Sequence, residues 1–253
     1  MGALAIAGIV FGCAFGGALA GMLLAAVLPK HHLNADSKDV VKVAMAMIAT
    51  VTALVLGLLI ASAKSSFDNK DTEIKRVAAR IILLDRTLAQ YGGQTREIRD
   101  LFRHLVAMRI SEIWPEDDTG KVATGAVGQN DAIEEIQRNL LDLSPQDDSQ
   151  RWLKSTALQM VNEIAEDRLL VFEQLASSIQ WPFLAILIFW LAMIFASFGL
   201  FAPRNGIALA ALLISSLSVT GAIFLIVQMD QPYSGLLKIS SAPMRGALNQ
   251  LGR

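Results

Sequence analysis

An all-α integral membrane protein with four transmembrane helices and a helical bundle inserted between helices two and three is predicted from three observations. Hydrophobic residues make up 53% of the 253 positions and charged residues only 18%, below the quarter usual for soluble domains. The charges are missing from four stretches rather than thinned evenly: Met1 to Pro29, Val43 to Ala63, Gln174 to Pro203 and Asn205 to Met229 hold no Asp, Glu, Lys or Arg. Each exceeds the roughly 20 residues a helix needs to cross a hydrocarbon core about 30 Å thick. The residues between the second and third stretches are charged and carry heptad-like apolar spacing, which predicts helices outside the lipid.

The expected organisation is residues 1–63 for spans one and two, 64–178 for a cytoplasmic helical domain, 179–229 for a hairpin of spans three and four, and 230–253 for a cytoplasmic amphipathic tail. Span one carries two rows of small residues at a spacing of four, Gly8, Gly12, Gly16 and Ala20, then Gly17, Gly21 and Ala25. Missing side chains on one helix face let a neighbouring backbone approach closely, so these glycines are expected to pack against other helices. No Lys or Arg precedes Lys30, unlike a secretory signal, so this segment is expected to stay as a span. Cys13 lies within it and reads as a small packed residue.

Span two places Ala46, Thr50, Ala53, Gly57 and Ala61 on one face, with Lys42 and Lys64 near the two ends of the same stripe. Small residues leave room for water and ions, and lysines at two mouths concentrate anions, so the stripe can line a pore. Small stripes are general membrane-helix glue, so the residues by themselves favour close helix packing, with the lysines snorkelling to the interfaces. Ala211, Ser215, Ser218 and Ala222 repeat that ambiguity in span four.

In the inserted region, seams are expected at Ile74, Val77, Ile81, Leu84, Leu88 and Tyr91, at Ile98, Leu101, Leu105 and Met108, and at Ile133, Ile136, Leu140 and Leu143. Gly92-Gly93 breaks the first helix, and Trp114 to Gln129 reads as a loop. Ser144-Pro145-Gln146-Asp147 has the form of an N-cap with Pro at the first helical position. Trp181 and Pro182 fit the interfacial start of span three, and Ala202-Pro203-Arg204-Asn205-Gly206 the turn into span four. Asp230, Pro232 and Gly235 form a turn after span four, the carboxylate either capping that turn or pairing with a base such as Lys64.

Several function classes fall away. A net charge of −1 gives no basic face for nucleic acid. HExxH, GxSxG, CxxC, Walker-type and dinucleotide motifs are all missing, so no enzyme and no cofactor are predicted. His31-His32 with Asp36 lacks a closed ligand set, and Glu116-Asp117-Asp118 and Asp147-Asp148 lack alternating oxygen ligands, so no metal site is predicted. Basic residues near the spans favour Lys64, Lys70, Lys75, Arg76, Arg80, Arg168, Lys238 and Arg245 on one side over Lys30, Lys38, Lys42 and Arg204 on the other. That bias puts both termini and the inserted domain in the cytoplasm of a multi-pass membrane protein.

Leu84 to Gly92 (LDRTLAQYG), Phe198 to Asn205 (FGLFAPRN), Met229 to Gly235 (MDQPYSG) and Ser240-Ser241-Ala242-Pro243 together resemble the bacterial bestrophin-like domain family, membrane proteins distantly similar to bestrophins. The resemblance implies a bacterial inner-membrane location and kinship with pentameric anion channels whose second span lines the pore. It therefore implies a homo-oligomer in the bilayer that passes small ions. An aromatic neck in span two and an acidic calcium clasp after span four are missing, so no functional residue is carried over individually. The competing reading is a non-conducting scaffold or sensor whose helical domain binds a partner.

Overall fold

The computed structural model describes residues 2–27, 35–115, 129–175, 181–230, 232–233 and 235–252. The His31-His32 pair, Lys30, Glu116-Asp117-Asp118 and most of the Trp114 to Gln129 loop lie outside the described residues, as do the side chains of Asp36, Arg168 and Trp181. The described elements are helical: α1 Ala3–Val27, α2 Ala35–Tyr91, a single 3₁₀ turn Gly93–Thr95, α3 Arg96–Ile113, α4 Gln129–Asp142, α5 Asp148–Leu175, α6 Trp181–Phe201, α7 Gly206–Asp230 and α8 Ala242–Gln250. Four of them, α1, α2, α6 and α7, are long and apolar enough to cross a membrane by length and composition. The chain divides into two compact units, one of residues 1–67 and 178–237, the other of residues 68–177 and 238–253.

In the first unit α1 carries most of the packing against both α6 and α7. Gly17 and Gly21 make this possible: a Cβ on Gly17 would stand 2.7 Å from the Ala192 carbonyl oxygen, and one on Gly21 would overlap the Ala196 carbonyl. Gly199 of α6 meets the Ala18 carbonyl in the same way. These are backbone-to-backbone contacts that only absent side chains allow. Around them lie two apolar clusters. One joins Ala3, Ile6 and Val10 with Leu184, Leu187, Leu191, Ile223 and Val227, and Val55, Leu56 and Leu59 of α2 pack against it. The other joins Ala14 and Ala18 with Phe195 and Leu212. The α6–α7 turn is held by two caps. The Asn205 side chain accepts the Ala208 amide at 2.8 Å, and the Arg204 guanidinium donates to the Met22 carbonyl in the last turns of α1 at 3.3 Å. A cation there also complements the negative end of the α1 dipole.

In the second unit the seam of α2 buries Ile74, Ile81, Leu84, Leu88 and Tyr91, with Ala78 beside them and Val77 half-buried. The helix ends at Gly92, whose φ of 122° is open to glycine and disfavoured for other residues. Two expectations change. The buried row of α3 is Ile98, Phe102, Val106 and Ile110, while Leu101, Leu105 and Met108 flank it half-buried. Four residues advance a helix by about 400°, so this row winds around α3 by about 40° per step instead of following the straighter seven-residue seam. The cap of α5 is Asp147 rather than Ser144: its carboxylate accepts the Gln150 amide at 2.7 Å, the Gln150 side chain accepts the Gln146 amide, and Pro145 stands before the helix. The tail folds into this unit as well. Ile239, Met244, Ala247 and Leu251 are buried, and the indole of Trp114 donates to the Ile239 carbonyl at 2.9 Å.

Candidate functional site

In α2 the first unit presents three faces. Thr52, Val55, Leu56, Leu59 and Ala63 turn inward: Thr52 and Ala63 are buried, and the three aliphatic residues pack on the core. At about 100° per residue, the expected stripe points well away from that face. Lys42, Ala46, Thr50, Ala53, Gly57, Ala61 and Lys64 are all exposed, and a Cβ on Gly57 would meet nothing within 4 Å. A third face carries Val43, Met47, Val51, Leu54 and Leu58, also exposed. A single chain therefore leaves the small-residue stripe uncovered over its whole length. Thr50 keeps its hydroxyl on its own helix, donating to the Ala46 carbonyl at 2.9 Å, so its methyl and an oxygen lone pair are what it offers outward.

The two lysines sit in different surroundings. Lys42 pairs with Asp39 at 3.2 Å with both side chains largely exposed, which cancels most of its far field and stabilises little. Lys64 lies 5.9 Å from the centroid of the Phe67 ring, within cation–π reach. The glycine rows of α1 also differ. Gly17 and Gly21 meet α6, whereas Cβ atoms on Gly8, Gly12 and Gly16 would meet nothing within 4 Å.

After α7 the turn is built around Gln228, which is buried. Its side-chain oxygen accepts the Leu236 amide at 3.1 Å. Gly235, at φ 98°, leaves the room this needs, since a Cβ there would overlap that oxygen. Pro232 is buried and Asp230 is the last residue of α7.

The LDRTLAQYG segment is the structural hub of the second unit. Asp85 takes a two-pronged ion pair from Arg99, at 2.7 and 2.9 Å, and accepts the Gly252 amide of the tail at 3.3 Å. The Asp85 hydrogen bonds push the Arg99 guanidinium further above its ordinary value, against the opposing cost of burial. The Thr95 hydroxyl bonds the Leu88 carbonyl at 2.6 Å, and Gln150 donates to the Tyr91 carbonyl at 3.1 Å. Sequence reasoning missed Asp85, Arg99 and Gln228 as supports, because a charged residue within a seam shows its partner only in three dimensions.

The Tyr91 hydroxyl is buried without a protein hydrogen-bond partner. Burial, and then the nearby Asp147 carboxylate, raise its pKa above 10.0. The phenol thus ionises more readily in the unfolded chain, so its contribution is complete below pH 10 and is lost as pH rises from there toward the folded value. Tyr91→Phe is expected to raise stability at neutral pH by about 1 kcal/mol, since an unsatisfied buried hydroxyl is removed. It is also expected to flatten the loss above pH 10; denaturant unfolding at pH 7 and pH 10.5 checks both.

A family model described as Bestrophin-like domain matches residues 12–244. Among solved structures, a variant of a bacterial bestrophin homologue from Klebsiella pneumoniae superposes with a TM-score of 0.63 at 11% identity, over 92% of this chain and 95% of that one. A structure described only as a membrane protein gives a TM-score of 0.59 at 12% identity, over 94% and 98%. At these identities the likeness is one of fold. No curated protein sequence matches.

Proposed function

Since this chain belongs to the bestrophin-like family, we propose that it is a homo-oligomeric ion channel of the cell membrane whose pore is lined by α2. The supporting observation is the uncovered stripe from Lys42 to Lys64: one chain leaves it bare while the opposite face of the helix is packed on the core. Several copies arranged about an axis would enclose a path faced by small residues. Five copies is the number the kinship implies. Anion preference is the finer reading, supported by the two lysines, Lys42 and Lys64, near the ends of that stripe.

Purified protein in a planar bilayer is expected to conduct, with cysteines at Thr50, Ala53 and Gly57 modified by water-soluble thiol reagents and a cysteine at Val55 protected. Silence toward both anions and cations, or the reverse labelling pattern, defeats the reading. The four spans are proposed to cross a bacterial inner membrane with both termini and residues 64–178 in the cytoplasm, as the basic residues favour. In a Cys13→Ser background, a cysteine at Asn34 should then react from outside intact cells and one at Thr124 should not.

The scaffold reading draws on a different surface. Trp152 is 64% exposed and Leu141 61% exposed in the charged second unit, apolar area of a kind that protein partners cover. A stable partner lost on Trp152→Ala, with no conductance from the purified chain, would favour it.

A further inference from the structure

The buried residues of α7 are Leu212, Ser216, Thr220, Ile223, Ile226, Val227 and Gln228, so two hydroxyl residues stand between apolar ones. Leu212 belongs to the cluster with Ala14, Ala18 and Phe195, and Ile223 and Val227 to the one with Ala3, Ile6 and Val10. Along α7, Ser216 and Thr220 thus stand between the residues of the two apolar clusters, both of which Val219 also touches. Ser216 is 0% exposed and Thr220 7%.

Their hydroxyls are engaged differently. In a helix, a serine or threonine with no outside partner ordinarily turns its proton to the carbonyl a turn before. Thr50, Thr52, Thr72, Thr87 and Ser218 all do so, at 2.7 to 2.9 Å. Ser216 donates to the Leu213 carbonyl at 2.8 Å. Thr220 alone among these has a fully buried hydroxyl with no protein partner. Leaving such a group unsatisfied within a span is costly, since lipid offers it nothing.

We infer that Ser216 and Thr220 form a binding site for one internal water molecule. Residues four apart on a helix have Cβ atoms about 5–6 Å apart, a gap that one water bridges with two ordinary hydrogen bonds. The donors and acceptors match: Thr220 has a free proton for the water oxygen, and Ser216, its own proton spent on Leu213, offers lone pairs to a water proton. Carbonyls of the same turn, each with a second lone pair, complete the two to four partners a buried water takes. The ligand is neutral because residues 2–29, 174–203 and 205–229 carry no charge to balance an ion.

The test uses the full-length protein in detergent. Thr220→Val keeps the shape and removes the hydroxyl; it is expected to lower the thermal midpoint by about 2–4 °C, the shift of one modest interaction in a chain of this size. Thr220→Ser is expected to retain most of the wild-type midpoint. In a Ser216→Ala background Thr220→Val is expected to cost much less, because the bridge has already lost one end. A high-resolution map should show density between the two hydroxyls. An unchanged or higher midpoint for Thr220→Val means that the hydroxyl is unsatisfied and overturns the proposal. So does equal cost in the two backgrounds, or a map in which Thr220 bonds directly to Ser216 or to a carbonyl.

Discussion

Asp85→Ala is expected to destabilise the protein by about 3–5 kcal/mol, the cost of leaving one member of a buried ion pair without its partner. The side chains of Asp85 and Arg99 are only 5% and 18% exposed, so water compensates the stranded guanidinium poorly. The Gly252 amide loses its acceptor in the same step, and the tail should become the first protease-sensitive segment. A paired replacement, Asp85→Leu with Arg99→Met, is expected to recover most of the loss, because two apolar side chains of similar bulk leave no uncompensated charge. Thermal unfolding and limited proteolysis of the three proteins together decide the matter. Equal destabilisation by the single and double variants would show that Asp85 acts through some other contact.

Gly21→Leu is expected to be comparably severe in the first unit, above the roughly 1–3 kcal/mol of ordinary overpacking. Its Cβ would overlap the backbone of Ala196 and approach that of Leu200, and backbone cannot change rotamer to make way. Helices α1 and α6 would have to separate and expose the apolar cluster at Phe195. Gly8→Leu on the other row is expected to change the stability of the isolated chain by no more than about 0.5 kcal/mol, as for an open surface position. Unfolding of each variant in detergent separates the rows; equal losses would mean that both faces of α1 are packed.

Those two rows illustrate what was legible in the sequence. Spacing by four announces that a helix face is small, and both rows announce it equally. In the fold Gly17 and Gly21 meet α6 while Gly8, Gly12 and Gly16 stand open within one chain. The elements themselves were easier, because absent charges mark the apolar helices and glycine marks the break at Gly92. The seam of α2 was readable over Ile74 to Leu88, where burial and period agree. In α3 the heptad template chose Leu101 and Leu105, whereas Phe102 and Val106 lie deeper; a single offset rotates the face because every third or fourth residue there is apolar. In α7 the small-residue spacing singles out Ser215 and Ser218, yet the enclosed hydroxyls are those of Ser216 and Thr220. Hydroxyl residues recur on every side of that helix, and composition cannot say which side is inward. For the site, sequence named the stripe of α2 and the structure describes its exposure, but assembly of several chains is a property no single chain displays.

The second unit is stitched from two separated lengths of chain, residues 68–177 and 238–253, and this bears on how the protein is made. Trp114 meets Ile239 across 125 positions, and Asp85 meets Gly252 across 167. A ribosome must translate both α6 and α7 before it supplies the segment that closes the bundle. Until then the surfaces that will hold Ile239, Met244 and Leu251 stay open, and closure over such separations is slow. Biogenesis thus has a built-in checkpoint: the second unit is finished only after the last apolar helix has left the ribosome, and truncation before Lys238 should yield a chain recognised by quality-control proteases.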